Sequence, residues 1–251
     1  MGDAAMDIRS VPRLGIVVPP ENPTAEPEFG HLLGSGMNVY ASRFPVLPGT
    51  GLREVLETYN DVLPDVLANF GQLRLDAAIV SCSASHYLLS PDGDRRLCAE
   101  LSGRTGYPVL SSTLAILAAC EALGLTRLTL VSPYEPWLTE LSRGYWEEAG
   151  LTVEQVVPVP AGDRYDPYQV TTASVLDQVR RHGVPDDAAI LFTGTGMSTL
   201  GAMAELDGHP DRVLLSSNLA GAWWAQRLVG AQGGGLDGHR LRRSARTAAA
   251  A

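Results

Sequence analysis

Residues 76–87, Asp76-Ala77-Ala78-Ile79-Val80-Ser81-Cys82-Ser83-Ala84-Ser85-His86-Tyr87, decide the fold of this chain. The apolar run at their start is typical of a strand buried on both faces. It passes directly into small hydroxyl side chains around one thiol. Open α/β sheets bind ligands beyond the carboxyl ends of their strands, so this turn predicts a nucleophile at such an edge. The alternative is that Cys82 simply packs in the core, as most free cysteines do.

Composition and charge narrow the class of protein. The chain has 251 residues, a hydrophobic fraction of 45% and a formal net charge of −9, which suits one large or two small globular domains. Proteins that bind nucleic acids or anionic membranes present basic patches, so neither partner is expected. Neither a run of about 18 apolar residues nor a secretory signal is found. We therefore expect a cytoplasmic protein.

The reactive side chains do not form a metal or nucleotide motif. The three cysteines are sparse, which fits a reducing compartment, and neither they nor the five histidines have metal-ligand spacing. No metal and no other cofactor is expected. Cys98 and Cys120 fall on helical faces and are predicted to pack in the core. The run from Thr193 to Gly196 contains Gly-x-Gly but not the dinucleotide pattern, which excludes a nucleotide site.

Apolar strands alternate with helices along the whole chain. Strands are predicted at 14–18, 37–44, 77–80, 108–110, 127–131, 152–159, 188–192 and 212–215, and helices from within 21–29 and at 52–70, 91–105, 114–123, 137–149, 174–182 and 219–229. This alternation predicts parallel sheets with right-handed crossovers. Similar loops after Val80 and Phe192 indicate a duplicated unit. The predicted fold class is α/β, with two pseudo-symmetric parallel-sheet, Rossmann-like (flavodoxin-like) halves and the active site between them.

The domain boundaries follow from the same pattern. We predict a flexible leader at 1–12, a first half at 13–113 plus 216–230, a second half at 114–215, and a disordered tail at 231–251, where the composition collapses to Gly, Arg and Ala. The last predicted helix carries Trp223 and Trp224, which favour core packing or an oligomer contact. A homodimer is therefore an open alternative.

Four loops follow strand ends and are expected to converge on one crevice between the halves: Pro19–Asn22, Ser81–Ser83, Ser132–Tyr134 and Thr193–Gly196. A carboxylate in such a crevice needs hydrogen-bond donors. The side chains of Asn22, Ser83, Tyr134 and Thr195 and the amides of the glycine loop are suitable donors. A small carboxylic acid is thus the expected partner. Asn22 could equally cap the following helix, and His86 is interpreted as a polar loop residue.

Several motifs, in this order, resemble the aspartate/glutamate racemase superfamily, specifically its branch of maleate cis–trans isomerases and arylmalonate decarboxylases. The motifs are 18–28 (VPPENPTAEPE), the Cys82-Ser83 turn, 131–134 (VSPY), 194–200 (GTGMSTL) and 216–218 (SSN). The resemblance implies a substrate clamped between two α/β halves without metal or organic cofactor. Cys82 matches the first-half cysteine of the family, whereas Gly194 stands at the second-half cysteine position. A register shifted by one residue would place Ser81 at the first position.

One thiol limits the chemistry, because no second thiol can move a proton at the far face of a substrate. We predict a cofactor-independent isomerase of a small carboxylic acid, resembling maleate isomerase, with Cys82 as nucleophile or proton donor. The alternatives are a cofactor-independent decarboxylase of a substituted malonate and a catalytically silent carboxylate-binding protein. The predicted catalytic residues are Cys82 and Tyr134, and the predicted substrate-binding residues are Pro20, Asn22, Ser81, Ser83, Tyr168, Gly194, Thr195 and Gly196.

Overall fold

Two parallel four-stranded sheets form the framework in the computed structural model, which describes residues 8–162, 165–209 and 211–230. In chain order the strands are β1 (Arg13–Val18), β2 (Asn38–Arg43), β3 (Ala77–Val80), β4 (Val109–Ser111), β5 (Arg127–Ser132), β6 (Thr152–Pro158), β7 (Ala189–Phe192) and β8 (Val213–Ser216). The sheet orders are β2-β1-β3-β4 and β6-β5-β7-β8. The second order repeats the first, which confirms the predicted fold class.

Helices connect successive strands. They are α1 (Ala25–Leu33), α2 (Leu52–Ala68), α3 (Ser83–His86), α4 (Ser90–Thr105), α5 (Ser112–Leu123), α6 (Pro136–Glu148), α7 (Thr172–Arg181), α8 (Leu200–Leu206) and α9 (Ser217–Leu228). The sequence prediction missed α3 and α8, because four and seven residues are too few for a helical period to show. None of the helices in the described ranges is long and apolar enough to cross a membrane.

The strand register brings the site loops together in pairs. Val17 of β1 lies opposite Val80 of β3, so the loops after these strands leave the same edge of the first sheet. In the second sheet, Val131 of β5 lies opposite Phe192 of β7. Strands β3 and β7 are almost entirely buried, as their uninterrupted apolar sequences predict.

Helix α9 follows a strand of the second sheet but packs on the first. Ala222 and Ala225 belong to one buried cluster with Leu14 and Ile16 of β1. Close approach requires Gly221, where a Cβ would lie 2.9 Å from the Phe29 ring of α1. The last helix therefore ties the two sheets together. The predicted division of the chain into two halves stays a prediction.

The predicted leader is structured where it is described. Ile8–Ser10 forms a 3-10 helix, and the side-chain amide of Asn38 donates to the Ile8 carbonyl at 2.8 Å. Val11, which follows this turn, is buried. The remainder of the leader, residues 1–7, and the predicted disordered tail, 231–251, lie outside the described residues.

Candidate active site

A cleft of about 1110 Å³ lies where the strand-end loops of the two halves meet. Its lining includes eight of the ten predicted site residues: Pro20, Asn22, Cys82, Ser83, Tyr134, Gly194, Thr195 and Gly196. They come from the loops that follow β1, β3, β5 and β7. Parallel strands direct their carboxyl ends to one edge, which is why four separate sequence motifs reach one cleft.

Two predicted substrate-binding residues do not line the cleft. Ser81 is fully buried, and its hydroxyl has no hydrogen-bond partner among the described residues. Tyr168 is 76% exposed in the 3-10 helix Pro167–Gln169, which places its side chain on the surface. Tyr165, earlier in the same loop, lines the cleft instead. The sequence prediction therefore identified the loop that reaches the cleft, but it chose Tyr168 where the structure has Tyr165.

Cys82 forms part of the cleft floor and immediately precedes α3. Only 3% of its surface is exposed. Burial raises the pKa of this thiol, an effect partly offset by hydrogen bonds from the Ser85 hydroxyl and from the Ser85 and Ala84 amides. Among the described residues, none of the groups that shift its pKa is cationic. The sulfur is therefore held as a neutral thiol near neutral pH.

Four tyrosines surround the thiol and interact with it electrostatically: Tyr59, Tyr87, Tyr134 and Tyr165. Burial raises the pKa of Tyr59 and of Tyr87 to about 12, and it also raises the pKa values of Tyr134 and Tyr165. All four hydroxyls therefore stay protonated at neutral pH and offer donors rather than negative charge. Tyr59, Tyr87 and Tyr165 were not identified from the sequence, because nothing local marks them.

Gly194 lies in the second-half loop, with φ at +100°. A Cβ at this residue would lie 3.0 Å from the Tyr134 hydroxyl oxygen and 3.3 Å from its Cζ. The phenol of Tyr134 thus borders the space that a longer side chain at 194 would need. A second thiol at this position would have to displace it.

A chain of hydrogen bonds joins the halves across the cleft. The Asn22 side-chain amide donates to the Thr195 hydroxyl at 3.0 Å, and that hydroxyl donates to the Ser81 carbonyl at 2.7 Å. The Asn22 side-chain oxygen accepts from the amides of Thr24 and Ala25 at the start of α1. Asn22 therefore lines the cleft and also caps a helix start, so the two roles considered from the sequence are compatible.

Behind the cleft floor, Asp94 organises a buried network. Its carboxylate accepts from Tyr145 Oη at 2.7 Å, Thr113 Oγ1 at 2.6 Å and Ser111 Oγ at 2.8 Å, and it pairs with His86 Nδ1 at 2.7 Å. Burial acts to raise the pKa of Asp94, but His86 and the hydroxyl donors outweigh it and lower that pKa. The prediction of His86 as a polar loop residue was wrong, because this carboxylate binds it inside α3.

The other two cysteines lie in the interior, as predicted. Cys98 and Cys120 are 3% and 1% exposed, and burial raises the pKa of both thiols. His86, Asp94 and Cys98 lie close enough to share a cation. However, five hydrogen-bonding groups, the Cys98 thiol at 3.5 Å among them, already occupy the Asp94 oxygens. This donor set fits a hydrogen-bonded carboxylate rather than a metal ligand.

Comparison with known proteins finds relatives of both kinds named by the sequence resemblance. An arylmalonate decarboxylase of Bordetella bronchiseptica is 27% identical over 238 residues, which covers 90% of this chain and 93% of the relative. A maleate isomerase of Geobacillus stearothermophilus is 22% identical over 219 residues, with 82% and 86% coverage. Both predicted activities are therefore represented among the relatives.

Solved structures share the fold. A variant of the maleate isomerase Iso of Pseudomonas putida S16 with one cysteine changed to alanine, determined with maleate, matches with a TM-score of 0.77 at 21% identity, covering 88% of this chain and 92% of that one. A liganded arylmalonate decarboxylase, with one glycine changed to cysteine and one cysteine to serine, matches with a TM-score of 0.74 at 24% identity, covering 89% and 94%. A family model described as arylmalonate decarboxylase matches residues 14–239. The chain therefore belongs to the arylmalonate decarboxylase family.

Proposed function

We propose that this protein is a cofactor-independent decarboxylase of a malonate that carries an apolar substituent, with Cys82 as the proton donor. The bond from the α-carbon to one carboxylate breaks, carbon dioxide leaves, and the electron pair stays on the remaining fragment as an enediolate. The Cys82 S–H bond then breaks as the new C–H bond forms. Water then returns a proton to the thiolate, and the hydroxide that remains combines with the released carbon dioxide as bicarbonate.

The burial of Cys82, which is 3% exposed in the cleft floor, is the observation that carries this proposal. Burial raises the pKa of the thiol, and no cation of the described part of the chain is among the groups that shift it. A protonated thiol suits proton delivery to a carbanion-like centre, whereas nucleophilic attack requires the thiolate. Gly194 offers no acid on the opposite side. Decarboxylation needs only one proton delivered to one face.

The donors around the thiol suit the charge that develops. An enediolate carries its negative charge on oxygen, and preorganised donors stabilise it in the transition state. Tyr134 supplies an O–H group whose pKa is raised well above its ordinary value, so it donates without ionising. Thr195 and the loop amides at 194–196 border the same cleft. In this proposal, Thr195 and these amides donate hydrogen bonds to the carboxylate that the substrate retains.

The cleft walls favour a substrate larger than a four-carbon diacid. Val46 and Leu52, which are 66% and 37% exposed, line the cleft together with Leu47 and Trp137. Exposed aliphatic side chains at a cleft mouth are typical of a binding surface for an apolar group. The volume of about 1110 Å³ is also comparable with sites that hold drug-sized ligands.

A maleate-type isomerase is the second candidate. In this reaction the Cys82 thiolate adds to a double bond, the adduct rotates about the resulting single bond, and elimination restores the thiolate. Hydrogen bonds from the Ser85 hydroxyl and from the Ala84 and Ser85 amides favour it, since all three stabilise a thiolate. These donors lower the pKa of the Cys82 thiol, whereas burial raises it.

The test is product analysis with purified protein. A 2-aryl-2-methylmalonate should release carbon dioxide and give the monoacid with one enantiomer in excess, because Cys82 serves one face only. Cys82→Ser should lower kcat about 10²–10⁴-fold, the usual contribution of a general acid. Cys120→Ala, a buried cysteine outside the cleft lining, is the matched control and should keep its activity.

Other outcomes separate the candidates. Conversion of maleate to fumarate without loss of carbon dioxide, together with a covalent Cys82 adduct, would replace the decarboxylase with the isomerase. Saturable carboxylate binding without any turnover would instead indicate a silent binding protein. A racemic monoacid would contradict proton delivery from one side.

We also propose a cytoplasmic location, because three buried free cysteines suit a reducing compartment. The homodimer remains a prediction. Trp223 is buried and Trp224 is half-buried on α9, so core packing accounts for the first of the two indoles.

A further inference from the structure

The glycine loop, defined here as residues 194–199, is held from behind by groups outside its own sheet. The Thr24 hydroxyl donates to the Gly196 carbonyl at 2.8 Å. The Asn218 side-chain amide donates to the Thr195 carbonyl at 3.1 Å. Two successive carbonyls of the glycine loop are therefore fixed by side chains that precede or begin helices α1 and α9.

Glu28 secures the far end of the same loop. This residue of α1 is buried, and its carboxylate accepts from the Thr199 amide at 2.7 Å and from the Leu200 amide at 3.3 Å. It also accepts from the Thr199 hydroxyl and, at 2.8 Å, from the Asn218 side-chain amide. A carboxylate from the first half thus caps α8 of the second half and orients Asn218. A negatively charged carboxylate is stabilised near the amino terminus of a helix.

The orientation of one peptide follows from these contacts. In a trans peptide the carbonyl and the next amide N–H point in opposite directions. Because the Thr195 carbonyl is bound to Asn218, the Gly196 N–H points away from Asn218. Among the described residues, the Gly196 amide donates to no protein acceptor. Gly196 itself lines the cleft, so an amide without a protein acceptor among the described residues belongs to the cleft wall.

We propose that Glu28 is a positioning residue that, through Asn218, sets the Thr195–Gly196 peptide so that its amide can bind the substrate carboxylate. This inference rests on the proposed function, because it assumes a carboxylate substrate in the cleft. Glu28 itself lies outside the cleft lining. Its effect on catalysis is therefore indirect.

Glu28→Gln is the principal test. The amide of glutamine places a donor where the carboxylate accepted from Asn218, so the contact that orients Asn218 is lost. We expect hydrogen–deuterium exchange in peptides spanning 193–200 to be about tenfold faster. We expect KM for the 2-aryl-2-methylmalonate to rise about tenfold, with a smaller change in kcat. Asn218→Ala breaks the same path at its other end and keeps the test valid if the first variant does not fold.

Thr171→Ala is the matched control. The Thr171 hydroxyl accepts from the Ser174 amide at the start of α7, so this variant also removes a helix cap of the second half. It should lower thermal stability while leaving KM and exchange at 193–200 unchanged. A purely structural role for Glu28 would make the two variants behave alike.

The readouts separate the two proposals. Faster exchange with unchanged KM, or unchanged exchange in both the Glu28 and Asn218 variants, would overturn the positioning role while leaving the decarboxylase intact. Wild-type protein without turnover would refute the proposed function. In that case malonate binding, measured by calorimetry, takes the place of KM, and equal affinity of wild type and Glu28→Gln would overturn the positioning role.

Discussion

Gly194→Ala tests whether the Tyr134 phenol excludes a side chain from the second-half position of the cleft. Gly194 has φ at +100°, and a Cβ there would lie 3.0 Å from the Tyr134 hydroxyl oxygen and 3.4 Å from Pro133 Cγ. Two costs follow. Positive φ costs a non-glycine residue about 1–2 kcal/mol, and overpacking a filled site costs roughly another 1–3 kcal/mol. We expect a total loss of about 2–5 kcal/mol in the free energy of unfolding.

The chain supplies a control that separates the two costs. Gly150 lies two residues after helix α6 with φ at +90°, and a Cβ there would have no neighbour within 4 Å. Gly150→Ala should therefore lose only the backbone contribution of about 1–2 kcal/mol. At roughly 2–4 °C per kcal/mol for a protein of this size, its Tm should remain several degrees above that of Gly194→Ala. Urea denaturation monitored by tryptophan fluorescence measures the free energy of unfolding of both variants.

A double-mutant cycle assigns the difference to Tyr134. Removing the hydroxyl oxygen by Tyr134→Phe eliminates the shortest contact of a new Cβ, so Gly194→Ala should cost less in the Tyr134→Phe background. The backbone cost should remain. Equal stability of Gly194→Ala and Gly150→Ala would refute the reasoning, because the Tyr134 contact would then have no energetic consequence.

Two further predictions concern the tyrosines and the buried thiols. Tyr134→Phe should lower kcat about 10²–10³-fold in the decarboxylation assay, because it removes one donor to the enediolate. The control Tyr107→Phe, at a residue outside the cleft lining, should leave kcat unchanged. Equal activity of the two variants would remove Tyr134 from the mechanism. Stability should fall above about pH 8.5, the ordinary pKa of a cysteine in the unfolded chain, because burial raises the pKa of Cys120 in the folded state to about 12. As pH rises, the Cys120 thiol loses its proton in the unfolded state first. Its contribution to the free energy of unfolding is therefore fully present below the pKa of the unfolded state and disappears as pH rises toward the pKa of the folded state. Urea midpoints should show a smaller alkaline loss for Cys120→Ala than for wild type, and identical pH profiles would contradict the pKa shift.

Local pattern was sufficient for the architecture and for most of the cleft. The Ala77–Val80 run is buried on both faces as its composition requires, and the residues after it reach the cleft because parallel strands end at a common edge. The same reasoning placed Asn22, Tyr134 and Thr195 correctly in the cleft lining. Each of these inferences needs only the few residues around a strand end. The sequence by itself therefore determined two parallel sheets and the loops that bear the site.

Tertiary structure alone decided which side chains meet. Glu28 and Asn218 are 190 positions apart, and they form a hydrogen bond only because α9 crosses from the second sheet to pack against α1. His86 pairs with a buried Asp94 where its local sequence indicated a loop, and Tyr165 rather than Tyr168 reaches the cleft. Periodicity records which face of an element is apolar. It carries no information about the partner that a crossover brings to that face, because the partner is set by the packing of distant elements.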